Sequence, residues 1–139
     1  MKTMSATIQI DAPPSAVWTV LTDLGRYPEW NPLFREASGQ VTVGSRITLR
    51  AVQPANGRLM TVKVRVTAAD PGAELRWASS LPGLMSGEHS FVLTSLDGGT
   101  RVAQTEIYGG LLAATVSVPR TETIFQALNA ALKQRAETP

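Results

Sequence analysis

The chain has 139 residues and a mass of 14.9 kDa, the length of one domain able to bury a core of its own. It contains no cysteine, and its 13 Lys and Arg against 11 Asp and Glu leave a formal charge of +2. That excludes disulfides, a thiol nucleophile and thiolate-held metal, and leaves no basic run to follow a nucleic-acid backbone.

In chain order, Thr3–Ile10 alternates, with Met4, Ala6, Ile8 and Ile10 on one side, and predicts a strand with one buried face. The alternation leaves no continuous apolar segment of the secretory type. No later stretch approaches the roughly 20 apolar residues a helical membrane span requires. A cytoplasmic location without a membrane span is therefore the expectation. Asp11-Ala-Pro-Pro14 stops the strand. From Ser15 onward, Ala16, Val17, Trp18, Val20, Leu21 and Leu24 predict a helix ended by Gly25. An aromatic segment from Arg26 to Phe34 follows, punctuated by Pro28 and Pro32.

Six segments of period-two patterning come next: 34–41, 45–53, 58–68, 73–80, 87–96 and 100–108. They are separated by Thr42-Val-Gly44, Pro54-Ala-Asn-Gly57, Asp70-Pro-Gly72, Pro82-Gly83 and Asp97-Gly-Gly99, all turn chemistry. Connectors this short force antiparallel neighbours, so a seven-stranded antiparallel sheet is expected. Leu111–Val116 predicts a short helical segment broken at Pro119. Thr121–Ala136 predicts an amphipathic helix through Ile124, Phe125, Leu128, Ala131 and Leu132. The whole is a single α+β domain over residues 1–139, in the order β-α-α-β-β-β-β-β-β-α.

That order, with Ile10-Asp-Ala-Pro-Pro-Ser-Ala-Val-Trp18, Tyr27-Pro-Glu-Trp-Asn-Pro32, His89-Ser-Phe91, Tyr108-Gly109 and Asn129-Ala-Ala-Leu-Lys133, resembles the SRPBCC superfamily over nearly the whole chain. The likeness is greatest to its START-like, polyketide cyclase/dehydrase branch. The resemblance implies a helix-grip fold similar to the birch-pollen allergen, in which a curved sheet wraps the C-terminal helix around an apolar cavity. It implies a small hydrophobic or amphipathic ligand: a lipid, a sterol or an aromatic polyketide-like molecule. It implies no single chemistry, since carriers, sterol binders, aromatase/cyclases and co-chaperones share the fold.

Alternation also assigns the faces. Ile47, Leu49 and Ala51 point inward, as do Met60, Val62, Val64 and Val66, then Leu75 and Trp77, then His89, Phe91 and Leu93. In the last strand two registers compete. One turns Val102, Gln104, Glu106 and Tyr108 inward, the other Ala103, Thr105 and Ile107. The resemblance favours the first, which sets His89 and Glu106 on one face of adjacent strands.

His89 is the only histidine, so no histidine-rich metal site is expected. No motif calls for a cofactor, and no phosphate loop or serine-nucleophile elbow is present. His89 is either a cavity-lining proton donor and acceptor oriented by Glu106, or a core histidine satisfied by the backbone. Glu106 is either a partnered buried carboxylate or a solvent-facing rim residue. Trp30 either plugs the sheet end or forms a wall of the entrance, while Asn31 fixes the turn before Pro32. Pro82–Gly87 is either a mobile lip or a tucked hairpin. The ligand-lining candidates are Trp30, Met60, Trp77, His89, Phe91, Gln104, Glu106, Tyr108 and Phe125, with His89 and Glu106 the catalytic candidates.

Three functional readings follow from these residues. The first is a carrier or sensor of a small hydrophobic molecule. The second is a cyclase or dehydratase in which His89 and Glu106 move protons. The third is a protein-interaction module with a filled core. Homodimerisation is left open by the sequence.

Overall fold

In the computed structural model, which describes residues 1–139, the strand predicted at the N-terminus is β1 (Lys2–Ile10). It leads into α1 (Pro14–Thr22), and Leu24–Glu29 forms a 3-10 turn. Six strands follow: β2 (Phe34–Gly39), β3 (Arg46–Val52), β4 (Leu59–Asp70), β5 (Glu74–Leu81), β6 (Met85–Leu96) and β7 (Gly99–Gly109). A second 3-10 turn, Leu111–Thr115, precedes α2 (Val118–Glu137). The sheet order is β1-β7-β6-β5-β4-β3-β2, antiparallel throughout. Register shifts at Phe34/Glu36 and Val66/Ala68 are the bulges that bend the strands. This is the helix-grip fold, and no helix is long and apolar enough to cross a membrane.

Two helix boundaries correct the sequence expectation. The first helix ends at Thr22, and Gly25 lies inside the 3-10 turn that follows. Leu24 and Tyr27, three apart, both bury on the same side of that turn. The Tyr27 hydroxyl donates to the Leu21 carbonyl at 2.5 Å, tying the turn back onto α1. At the other end, Pro119 starts α2 instead of breaking a helix. It sits in the first turn, where backbone donors have no intrahelical partner. Ser117 Oγ accepts from the Arg120 amide at 3.3 Å as the cap.

The turn ahead of β2 is held as expected, because Asn31 Oδ1 accepts from the Leu33 and Phe34 amides at 3.0 and 2.8 Å. Gly110 makes the bend after β7 at φ +89°; a Cβ there would stand 2.5 Å from the Leu84 carbonyl oxygen.

α2 buries Thr121, Phe125, Leu128, Asn129, Leu132 and Ala136, one face at spacings of three and four. Its flank covers the edge strand β1. Glu122 accepts from the Ser5 amide at 3.0 Å, Glu137 accepts from the Asp11 amide at 2.6 Å, and Lys133 donates to the Gln9 carbonyl at 3.1 Å. These contacts satisfy an edge otherwise open to pairing.

Replacing Tyr27 with Phe removes one buried hydrogen bond and strands the Leu21 carbonyl. We expect a loss of about 1 kcal/mol and a fall in Tm of roughly 4 °C, read by thermal denaturation.

Candidate functional site

The strand register stacks the inner face into rows. Leu75, Phe91 and Gln104 stand opposite one another across β5, β6 and β7. Trp77, His89 and Glu106 form the next row, then Ser79, Gly87 and Tyr108, and finally Leu81 against Met85. Exposure rises along them, from 0% at Leu75 and 3% at Trp77 to 60% at Leu81. In β4 it rises from 1% at Val66 to 43% at Met60. The inner face is therefore sealed at one end and open at the other. Two hydrogen bonds tie the hairpin loops of the rim to the C-terminal segment: Arg120 Nη1 at the start of α2 to the Ala55 carbonyl at 3.2 Å, and the Leu112 amide of the 3-10 turn to the Leu84 carbonyl at 3.0 Å.

A chain of buried polar groups crosses this apolar interior. It begins at the Phe125 carbonyl of α2, which can only accept. Gln104 Nε2 donates to that oxygen at 3.1 Å and to Asn129 Oδ1 at 2.8 Å. The amide orientation is thereby set, so Gln104 Oε1 is the atom facing His89 Nε2 at 3.1 Å. An oxygen with only lone pairs requires Nε2 to carry its hydrogen. The other ring nitrogen, Nδ1, lies 2.6 Å from Glu106 Oε2, and the exchangeable proton of the pair belongs on that line. Held by the ring it gives an imidazolium against a carboxylate; held by Oε2 it leaves both groups neutral. Either way the pair has no net charge, which is the condition for burying both.

Aromatic rings fix the imidazole in place. Trp77 stacks on it at 5.8 Å, and Phe34, Phe91 and Phe125 pack at 5.3, 4.9 and 5.1 Å between centroids. The two oxygens of Glu106 differ. Oε2 is sealed against His89, whereas Oε1 takes no hydrogen bond from the chain and leans toward the next row. A Cβ built on Gly87 would lie 2.8 Å from Oε1, 3.3 Å from the Tyr108 ring and 3.4 Å from Ser79 Oγ. Burial first, and then the charge of Glu106, hold the Tyr108 phenol above its usual range.

The structure thus brings together His89, Glu106, Gln104, Trp77, Phe91 and Phe125, with Tyr108 one row toward the rim and Met60 at the rim itself. Trp30 stands apart from this group and packs edge-on against Tyr27 at 5.3 Å. In β7 the first register holds: Gln104 and Glu106 are buried and Ile107 is exposed. Glu106 is consequently no rim residue. The tucked alternative for Pro82–Gly87 is likewise corrected, since Leu81 and Leu84 at that hairpin end are exposed.

The expected chamber is corrected in one respect. Trp77, Phe91 and Phe125 pack with His89 itself, so the space around the ring is filled, and the inner face gains exposure only beyond them, toward Tyr108 and Met60. Two depressions lie at the surface, the second sharing Ser79 and Gly87 with the row above His89. One of about 380 Å³ lies among Trp18, Leu24, Val41 and Pro71, and another of about 480 Å³ is lined by Ala78, Ser80, Glu88 and Ile107.

Phe34, Ser79, Gly87 and Asn129 belong to the site and were not singled out from sequence. Asn129 could have been found from its place in the buried stripe of α2, next to Leu128 and four residues from Phe125. Gly87 has no sequence signal, because what matters there is the missing Cβ.

Gly87→Ala should force the Glu106 carboxylate away from its place. A drop in denaturant midpoint equivalent to about 1–3 kcal/mol with unchanged slope is expected, with a displaced His89 ring resonance in NMR spectra.

Tyr27 is held above the usual phenol range by burial and then by Asp23, so both tyrosines of the chain favour the neutral form when folded. A folded value raised above the unfolded one contributes stability below about pH 10, which is lost as pH rises further. Alkaline titration of the native protein should therefore show no phenolate absorbance near pH 10, the signal appearing only together with loss of near-ultraviolet circular dichroism.

Comparisons with known proteins agree with this architecture. A Thermus thermophilus protein superposes with a TM-score of 0.78 at 21% identity, over 98% of this chain and 97% of its own. A START superfamily protein from Mycobacterium smegmatis gives 0.75 at 17%, over 97% of both chains. The di-domain ARO/CYC BexL of the BE-7585A biosynthetic pathway gives 0.73 at 21%, over all of this chain and 48% of that one. At these identities the likeness is one of fold. No curated protein matches the sequence. The family described as polyketide cyclase/dehydrase and lipid transport matches residues 1–137, and the chain belongs to it.

Proposed function

We propose that the chain binds a small hydrophobic or amphipathic molecule at the open end of its inner face, as a carrier or sensor. One observation carries this reading: the apolar inner face becomes more exposed toward its rim, and the buried polar chain ends below it at Glu106 Oε1, which accepts no hydrogen bond from the chain and faces Gly87 and Tyr108. Sites for small apolar ligands have this composition, mostly greasy walls with a few placed polar groups. Family membership supports it.

A second reading is favoured by the His89–Glu106 contact. A buried pair sharing one proton can protonate or deprotonate a bound carbonyl compound, and cyclisation or dehydration needs orientation and proton transfer more than a nucleophile. Such a cyclase or dehydratase would depend on both residues.

The two readings separate in one set of experiments. Native mass spectrometry of the purified protein, and titration with sterol, lipid and aromatic polyketide panels followed by tryptophan fluorescence, should reveal saturable one-to-one binding. A chain that carries no ligand and responds to none of the panel would refute the binding reading. If the enzyme reading is right, His89→Ala and Glu106→Gln each lower turnover of an aromatic polyketide precursor by about 10²–10⁴-fold with near-ultraviolet circular dichroism retained. Turnover unchanged in both variants would exclude it.

A further inference from the structure

The hydrogens of the buried polar chain are already assigned, and this limits what a ligand can bring. Gln104 spends its amide hydrogens on Phe125 and Asn129, His89 spends its Nε2 hydrogen on Gln104, and the remaining proton lies between Nδ1 and Oε2. Glu106 Oε1 is left with lone pairs only. It is an acceptor whether the shared proton sits on the ring, making Oε1 part of a carboxylate, or on Oε2, making it a carbonyl oxygen. Its surroundings are the Gly87 backbone, the Tyr108 ring and Ser79 Oγ, on the row directly above the His89 cage and directly below the apolar rim.

We infer that this site selects apolar molecules bearing a hydroxyl, an alcohol or a phenol, over carboxylates of the same skeleton, with Glu106 Oε1 accepting the ligand's hydrogen. The inference rests on the binding reading proposed above and names its ligand class. A hydroxyl brings the hydrogen that Oε1 lacks, and its own oxygen is left to accept from Ser79 or Tyr108, whose hydroxyls donate as readily as they accept. A carboxylate brings lone pairs against lone pairs and a second negative charge into a partly desolvated row. The pair offers no compensation, since its own charges cancel. An acyl chain ending in a carboxylate is therefore excluded by chemistry, although its apolar body fits the rim.

Calorimetric titration at pH 7.5 with 2-naphthol against 2-naphthoate, and 1-decanol against decanoate, tests this on the intact chain. We expect each hydroxyl compound to bind at least tenfold more tightly than its carboxylate partner, and Glu106→Gln to bring the two members of each pair within threefold by improving carboxylate binding. Equal affinities in the unsubstituted protein, or tighter binding of the carboxylates, would overturn the selectivity while leaving the binding reading intact. Failure of all four probes to bind would remove that reading and this one with it. Should Glu106→Gln not fold, the unsubstituted protein still decides the matter. Amide shifts on adding 2-naphthol must centre on Gly87, Glu106 and Tyr108, and shifts centred on the depression beside Trp18 and Pro71, or on Ala78, Ser80, Glu88 and Ile107, would refute the placement.

Discussion

The organisation of the interior depends on one constraint: the polar groups that join α2 to the sheet are buried among aromatic rings and must each meet a group of complementary hydrogen-bonding character, even though Asn129 Nδ2 is left without a partner. The Phe125 carbonyl in α2 has a fixed role as acceptor, and from it the requirement passes through Gln104 to His89 and on to Glu106. An unsatisfied donor or acceptor anywhere along this line would cost more than the hydrogen bond itself contributes. The line therefore constrains how far α2 stands from the sheet, and which amide, ring nitrogen and carboxylate oxygen face one another. The same constraint that joins helix to sheet sets the chemistry of the site.

The rest of the helix attachment is of a different kind. Apolar side chains along one face of α2 supply the bulk of the driving force, and they are indifferent to small rotations. The bonds from Glu122 and Lys133 to the β1 backbone, and from Glu137 to Asp11 just beyond it, lie at the surface, where ion pairs and exposed hydrogen bonds contribute little. Packing brings the helix to the sheet, and the Gln104 clasp selects one orientation. The aromatic cage around His89 belongs to the same arrangement, because Phe125 reaches from α2 while Phe34, Trp77 and Phe91 reach from the sheet.

The proposed binding site rests on where this filled interior stops. The fold is shared by proteins of unlike chemistry and does not choose among them. In this chain the interior is packed up to the His89 row and grows more exposed beyond it, and one carboxylate oxygen lies beneath an apolar rim. Family membership sets the broad class, polyketide cyclase/dehydrase and lipid transport. The hydrogen-bond assignment narrows what such a site can hold.

Much of this was legible in the residues. Period-two alternation and the turn residues between segments determined seven strands and their antiparallel order, because the pleat and the short connectors are local properties. Parity along β6 put His89 inward, and the family likeness turned Gln104, Glu106 and Tyr108 to the same face. Other features could not be read this way. Proline at position 119 looked like a break and is a beginning, since its effect depends on where the helix starts. Gly25 looked like a helix end, whereas Tyr27 draws the chain into a tighter turn before it. Gly87 makes room for Glu106 only because β7 lies beside β6 in one register. The filling of the space around His89, the orientation of the Gln104 amide and the freedom of one Glu106 oxygen depend on atoms from β2, β5, β6, β7 and α2 meeting within a few ångströms. Patterning is encoded by neighbours in sequence, while complementarity is settled by neighbours in space, and only the folded chain supplies those.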